Sequence, residues 1–140
     1  RVPAGLPISS ALLICDRIIT EEGTHKKTLV GVFTQLKARK FPTRHFNMAL
    51  YFRGMLDARQ HEFRINYSQR GSTDSLAHVE GILNVEDSEN PTELAVNLPF
   101  LDVPAAGEYE FRLWIDGAYV QRVGLFASVL EPPEGSDNAD

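Results

Sequence analysis

Apolar and polar residues alternate along much of the middle of the chain, with the period of two that marks a β-strand with one buried face. In residues 46–53, one side of the predicted strand collects the apolar side chains Phe46, Met48, Leu50 and Phe52. The opposite side collects Asn47, Ala49, Tyr51 and Arg53. Residues 61–68 and 109–115 alternate in the same way, and a helix there would place Arg and Glu on its apolar stripe. The pattern therefore predicts antiparallel strands with one buried and one solvated face.

Turn-forming residues divide these runs into eight predicted strands. The strands are Ala11–Thr20, Thr28–Leu36, Phe46–Met55, His61–Ser68, Leu76–Val85, Leu94–Leu98, Tyr109–Ile115 and Ala118–Leu130. Strands spaced this regularly, without a helical period between them, predict an all-β fold, an antiparallel β-sandwich of about eight strands. We expect residues 10–130 to form this single domain, residues 1–9 to be a flexible N-terminal tail, and residues 131–140 to be an acidic, disordered C-terminal tail.

Two local features favour an immunoglobulin-like sandwich. Asp116-Gly117 separates two strand-like runs and predicts a type I′ hairpin, because both central residues of that turn need positive φ. Gly107-Glu108-Tyr109 opens the preceding strand as the tyrosine of a tyrosine corner does. In this interpretation the third, fourth, seventh and eighth predicted strands share one sheet. Jelly-roll and C2-like sandwiches are the alternatives.

The composition agrees with one globular domain that needs no covalent cross-link. The chain has 140 residues, of which 43% are hydrophobic and 24% charged, and a domain of this size folds without a disulfide or a metal. Its net charge of -5 argues against binding to nucleic acid or to an anionic membrane. No apolar run approaches the roughly 20 residues of a membrane span. The single cysteine, Cys15, is expected to be a buried thiol, which favours a cytoplasmic location, although a chain that begins at Arg1 could have lost an upstream segment.

Four segments carry a resemblance to known proteins. They are Cys15-Asp16-Arg17-Ile18-Ile19-Thr20, Thr28-Leu29-Val30-Gly31-Val32-Phe33, Phe41-Pro42 and Ala106-Gly107-Glu108-Tyr109-Glu110-Phe111-Arg112-Leu113-Trp114-Ile115-Asp116-Gly117. Together they resemble a family of short bacterial proteins of unknown function, over most of residues 11–128. The resemblance implies a bacterial, stand-alone β-sandwich and carries over no catalytic residue.

The residues that carry chemistry do not form a recognisable active site. The histidines lack the short spacings of zinc ligands and are scattered along the chain, at His25, His45, His61 and His78. Arg70-Gly71-Ser72 lacks the Gly-x-Ser-x-Gly arrangement of a serine nucleophile and is typical of a turn. The acidic segment 86–90 is interpreted as a solvated turn, since a calcium site needs about six to eight converging oxygens. The sequence therefore predicts a protein that is not an enzyme and holds no metal or cofactor.

Candidate binding residues lie on the polar sides of the predicted strands. With an immunoglobulin-like sheet order, six of them share one exposed face: Tyr51, Arg53, Arg64, Arg112, Trp114 and Arg122. Trp, Tyr and Arg are enriched at the energetic centres of interfaces, so we predict a protein partner or self-association, through this face or an edge strand. The structural alternative is that the arginines pair with Glu62 and Glu110 and cover Trp114 with their stems. The functional alternative is a carbohydrate- or lipid-binding module that uses Trp114 and Tyr51.

Overall fold

The fold is a sandwich of two β-sheets. The computed structural model describes residues 10–131, whose strands are β1 (Ala11–Thr20), β2 (Lys27–Val32), β3 (Gln35–Ala38), β4 (Thr43–Gly54), β5 (Gln60–Gln69), β6 (Ala77–Asn84), β7 (Thr92–Val103), β8 (Gly107–Ile115) and β9 (Ala118–Val129). One sheet has the strand order β2-β1-β4-β7, and the other has the order β3-β9-β8-β5-β6. The all-β sandwich predicted from the alternation is confirmed.

The predicted tails, residues 1–9 and 131–140, lie outside the described residues except for Glu131. Within residues 10–131 there is no helix of the length and apolarity that crossing a bilayer would require.

The core lies between the sheets and draws on both of them. Its largest fully buried apolar side chains include Tyr109, Phe52, Phe111 and Ile14. The hydroxyl groups of the buried Tyr67 and Tyr109 both form hydrogen bonds, without which their burial would be costly. The hydroxyl of Tyr67 on β5 donates to the carbonyl of Asp102 on β7, at 2.9 Å, and so links the two sheets.

The predicted tyrosine corner is present at the start of β8. The hydroxyl of Tyr109 donates to the backbone carbonyl of Ala105 at 2.6 Å and accepts the N–H of the same residue at 3.0 Å. The ring is 1% exposed. Tyr109 therefore fixes the chain where it enters β8.

The second predicted strand is in fact two strands in different sheets, so the prediction of one strand is wrong. β2 pairs with β1, whereas β3 runs parallel to β9 in the other sheet. The chain crosses between the sheets at Phe33, whose N–H donates to the carbonyl of Ile14, and Thr34, whose carbonyl accepts the N–H of Phe126. An alternating pattern cannot reveal this change of partner, because both strands keep the same period.

The alternation in β4 reverses at Asn47. This residue has a φ of 65°, a left-handed conformation in which Asn is several-fold enriched among non-glycine residues. Phe46 and Asn47 consequently both point outward, and Phe46 is 62% exposed. The prediction that Phe46 shares the core face with Met48 is wrong.

The predicted sheet assignment is wrong for the third strand. β4 lies between β1 and β7 in the four-stranded sheet, not beside β5, β8 and β9. Both sides of β4 are apolar, and Ala49 and Tyr51 on its outer side are buried like Leu50 on its inner side, which suits a central strand. The sixth predicted strand is longer than expected: β7 continues through Pro99, which a strand at a sheet edge tolerates.

β8 and β9 form the predicted hairpin. Asp116 has a φ of 53° and Gly117 a φ of 80°, the two positive values that a type I′ turn requires. Ile115 pairs directly with Ala118 across the turn. The hairpin positions Trp114 one residue before the end of β8.

Candidate functional site

The outer face of the five-stranded sheet brings together four of the six predicted binding residues. Arg64 on β5 lies directly opposite Trp114 on β8. Arg112 on β8 lies opposite Arg122 on β9. All three arginines are exposed, and Trp114 is half-buried. These four residues form the part of the predicted face that the structure supports.

Tyr51 and Arg53 are not part of this face, which corrects the prediction. Both lie on β4, in the other sheet. Tyr51 is only 8% exposed, and its hydroxyl donates to the carboxylate of Glu93. Burial, with the hydrogen bond to Glu93 as the next contribution, raises the pKa of Tyr51 to about 12. A buried tyrosine in such a contact stabilises the sheet and cannot serve as a platform for a ligand.

A buried carboxylate holds two of the arginines. Glu110 lies on the outer face of β8, yet it is only 1% exposed. Its Oε2 lies 2.7 Å from Nη2 of Arg112, and its Oε1 accepts a hydrogen bond from Nη1 of Arg122 at 3.4 Å. The 2.7 Å contact is an ion pair without hydrogen-bond alignment, since Oε2 has no hydrogen-bond partner. The residue opposite Glu110 on β9 is Gly124, which has no side chain.

Arg112 therefore pairs with Glu110 along β8, and Arg122 pairs with it across from β9 as the structural alternative given above describes. A buried carboxylate is stable only when it is paired, because its desolvation costs several kcal/mol. These two arginines consequently compensate the negative charge of Glu110 within the sheet. Arg64 is more loosely held: its Nε donates to Oδ1 of Asn66 at 2.9 Å and lies 3.8 Å from the carboxylate of Glu80.

Trp114 lies at an open groove on this face. The groove has a volume of about 650 Å³ and is lined by side chains that include Glu62, Arg64, Asn66, Glu80, Ile82 and Trp114. Ile82 is 56% exposed, although it is apolar. The groove thus combines apolar surface from Trp114 and Ile82 with hydrogen-bonding groups from β5 and β6. Such a surface can pack against a ring or an aliphatic group and bind polar groups beside it.

The aromatic neighbour of Trp114 is Tyr119, not Tyr51. The two rings are 5.7 Å apart between centroids and inclined at 54°, a geometry that aromatic pairs favour. The two-residue hairpin could have identified Tyr119 from the sequence, because a turn at 116–117 places residue 119 opposite residue 114. Beyond that pair a bulge shifts the register by one residue and sets Arg122 opposite Arg112. The sequence carries no signal for the bulge.

A second cluster, of hydrogen-bonded side chains around His61 and Asp116 at the hairpin, was not predicted. His61 is 1% exposed; its Nδ1 lies 2.7 Å from the carboxylate of Asp116, and its Nε2 lies 2.8 Å from the carbonyl of Asp57. The same carboxylate accepts the N–H of Glu62 at 2.9 Å and the guanidinium of Arg59 at 3.0 Å. The cluster anchors the turn beside Trp114 to β5. Both ring nitrogens of His61 are occupied, so this histidine has none left for a substrate.

Several contacts shift the pKa of Asp116. Burial alone would raise it, but the N–H of Glu62, the ring of His61 and the charge of Arg59 together hold it below its usual value. The aspartate that sequence analysis assigned to the turn thus also fixes the hairpin through its side chain.

The other candidate groups are accounted for within the described residues. Cys15 is fully buried as predicted, and its burial, followed by the charge of Asp16, raises the pKa of the thiol. In segment 86–90, Asp87 accepts the N–H of Glu89 at 2.8 Å and the amide of Asn90, as in an ordinary turn. Between residues 10 and 131, no three His, Cys, Asp or Glu side chains converge in a way that could hold a metal ion.

Comparison with known families places the chain in one of them. The family of unknown function DUF6941 matches residues 10–127, so the chain belongs to that family. No curated protein matched the chain. The matched residues coincide with the β-sandwich, from the start of β1 to near the end of β9.

Proposed function

We propose that this member of DUF6941 is a non-enzymatic interaction module, which binds a segment of a partner protein in the groove beside Trp114. The observation that carries the proposal is the half-buried Trp114, which lies at a concave surface next to Tyr119 and the exposed Ile82. A large apolar side chain that lines a groove is available to a partner without any change in the fold.

The charges around the groove indicate what the partner segment presents. Arg64 is already engaged by Asn66 and lies near Glu80. Glu62 lines the groove and forms no ion pair among the described residues. A segment with an aromatic or aliphatic side chain for Trp114 and a Lys or Arg for Glu62 would complement both features.

The absence of catalysis is part of the proposal. His61 has both ring nitrogens engaged, and Cys15 is buried with a raised thiol pKa. Neither residue lines the groove. The groove therefore offers carboxylates and one guanidinium, without an activated nucleophile.

Carbohydrate binding is the second candidate. The observation in its favour is that Glu62, Asn66 and Glu80 stand around Trp114, since sugars combine an apolar ring face with hydroxyl groups that need hydrogen-bond partners. This candidate is weaker than the sequence suggested, because Tyr51 lies in the other sheet. The second aromatic ring beside Trp114 is that of Tyr119.

The experiment uses Trp114 as its own reporter, because it is the only tryptophan. Peptides would be selected from a displayed random library on the wild-type chain, with Trp114→Ala used to remove peptides that bind elsewhere. Selected peptides and a panel of oligosaccharides would then be titrated against Trp114 emission. Glu62→Lys serves as a second groove variant, and Arg53→Ala, on the opposite sheet, is the matched control.

The proposal expects peptides with an apolar residue beside a basic one, bound at least ten-fold more weakly by Glu62→Lys and equally well by Arg53→Ala. If the Trp114 emission changes saturably with oligosaccharides and not with peptides, the groove binds a sugar and the second candidate replaces the first. If no ligand of either class depends on Trp114, the groove is not a binding site and the proposal fails.

We also propose three finer assignments that accompany this function. The resemblance described above supports a bacterial origin. The tyrosine corner at Tyr109 supports an immunoglobulin-like relationship of the sandwich. The single reduced and buried Cys15 supports a cytoplasmic location.

A further inference from the structure

β6 is a sheet edge without the usual protection against strand pairing. It is the last strand of the five-stranded sheet and pairs only with β5. None of its eight residues is buried. It contains no proline, no lysine and no positive-φ residue, which are common ways to block an edge, and Glu80 is its one acidic residue.

The other edges carry such devices. β2 begins at Lys27 and includes Gly31 in a left-handed conformation, with a φ of 69°. β7 contains Pro99 within the strand. β3 has only four residues. Among the edges of the described sandwich, β6 is therefore the one that is both long and open.

The backbone groups that β6 offers can be identified from its pairing with β5. The N–H of Val85 donates to the carbonyl of Arg59 at 3.0 Å, so the pair 85–59 is hydrogen-bonded. In an antiparallel ladder every second pair is of this kind, which makes odd-numbered residues of β6 bond to β5. The even-numbered residues His78, Glu80 and Ile82 consequently direct their N–H and C=O groups towards the free edge.

The side chains of these even-numbered residues are self-complementary in one register. If a second β6 lies antiparallel with Val79 opposite Val79 of the other copy, His78 faces Glu80 and Glu80 faces His78. In the same register Ile82 lies beside the segment that precedes β6 in the other copy, where the exposed Leu76 donates its N–H to the carbonyl of Tyr67 in its own sheet. A hydrogen bond from the imidazole of His78 to the carboxylate of Glu80 favours this register, whereas like charges directly across a strand pair destabilise it.

Neighbouring registers lack this match. A shift that centres Glu80 on itself places two carboxylates face to face. A further shift opposes Glu80 with Ile82, and His78 with Asn84. Only the register centred on Val79 sets Glu80 opposite His78, whose ring N–H can donate a hydrogen bond to the carboxylate, and hydrogen-bonds even-numbered residues to each other, as the ladder requires.

We propose that two copies of the chain pair through β6 about a two-fold axis at Val79, which joins their five-stranded sheets into one continuous sheet. A two-fold interface of this kind closes on itself and leaves no further open β6 edge. Each copy contributes a single strand to the interface, so the dimer is expected to be weak. The proposed dimer uses Glu80 and Ile82, which also line the groove, but it does not involve Trp114.

Sedimentation equilibrium of the wild-type chain tests the dimer, and a charge exchange tests its register. His78→Asp places a second carboxylate opposite Glu80 at two symmetric positions, which should raise the dissociation constant about ten-fold. Adding Glu80→Lys to His78→Asp places unlike charges across the axis and should return the constant to near the wild-type value or below it. Glu22→Lys, a charge change in the exposed turn between β1 and β2 of the other sheet, is the matched control and should leave association unchanged.

A wild-type chain that stays monomeric up to about 1 mM overturns the proposal. So does a dimer that His78→Asp leaves intact, or one that the double substitution fails to restore. Circular dichroism of each variant verifies the fold, which these exposed positions should preserve. Trp114→Ala should leave the dimer unchanged and His78→Asp should leave ligand binding in the groove unchanged, so the failure of either proposal can be recognised separately.

Discussion

The outer faces of the two sheets use their aromatic side chains differently. On the four-stranded sheet, Tyr51 is buried and bound to Glu93. Near the end of the same sheet Phe100 is exposed, and the guanidinium of Arg44 lies 4.1 Å above its ring centroid. On the five-stranded sheet, Trp114 is half-buried and lines a groove.

The difference shows that an outward-facing aromatic residue is not by itself a binding residue. Tyr51 contributes its area and its hydroxyl to the sheet, and Phe100 already has a cation on its ring face. Of these three aromatic residues, Trp114 alone combines partial exposure with a concave surrounding. The neighbours of each ring therefore decide whether it stabilises the fold or is available to a partner.

The largest expected effect separates Tyr51 from Trp114. Tyr51→Ala should lower the free energy of unfolding by about 3–4 kcal/mol, because it removes a buried aromatic ring and leaves a cavity. Trp114→Ala should lower it by about 1–2 kcal/mol, since part of the indole is already in water. Arg53→Ala, on the same strand as Tyr51 but exposed, should change it by about 0.5 kcal/mol or less.

Urea denaturation followed by circular dichroism measures all three variants. If Trp114→Ala costs as much as Tyr51→Ala, the indole belongs to the core and the contrast between the two faces disappears.

A smaller effect tests the packing beneath the groove. A Cβ atom at Gly81 would lie 2.6 Å from the ring of Phe63, whereas one at Gly124 would have 3.9 Å to its nearest neighbour. Gly81→Ala should therefore destabilise the chain by about 1–3 kcal/mol through overpacking, and Gly124→Ala should be nearly neutral. Thermal unfolding of the two variants provides the comparison. Equal melting temperatures would show that the ring of Phe63 moves aside without cost.

The smallest effect concerns acid stability and the anchor of the hairpin. The pKa of Asp116 is lower in the folded chain than in the unfolded one, so its ionised form stabilises the fold above the unfolded-state pKa of about 4. That stability is lost as the pH falls through the lower, folded-state value. Asp116→Asn should remove this share, which makes the loss of stability between about pH 5 and pH 2 shallower than in the wild type.

Urea midpoints measured across this range would verify the expectation, with Asp74→Asn as a control in an exposed loop. An unchanged pH profile for Asp116→Asn would mean that the contacts to His61 and Arg59 do not stabilise the ionised carboxylate.

Much of the fold could be predicted from the residues. Alternation identified most strands, because a sheet face buried against a partner sheet requires period-two patterning. Asp116-Gly117 predicted the hairpin through its backbone preferences, and its register could have identified Tyr119. The exposed Phe46 could not be predicted, since the left-handed Asn47 reverses the sides of β4 without any change in composition.

The candidate site was predicted only in part. The expected face contains Trp114, Arg64, Arg112 and Arg122. These residues lie on the adjacent strands β5, β8 and β9, and residues paired across adjacent strands point to the same side of the sheet. Tyr51 was assigned to the same face on an assumed sheet order, which local sequence does not encode.

The sequence by itself determined the all-β class, the hairpin, the tyrosine corner and the outward direction of Trp114, because each depends on the preferences of adjacent residues. Only the tertiary structure decided which sheet β4 joins, that the groove is lined by Ile82 and Glu80, and that β6 is an open edge. These features depend on contacts between residues distant along the chain, and the free energy of those contacts is set by the packing of the whole sandwich. A local sequence pattern contains no information about such contacts.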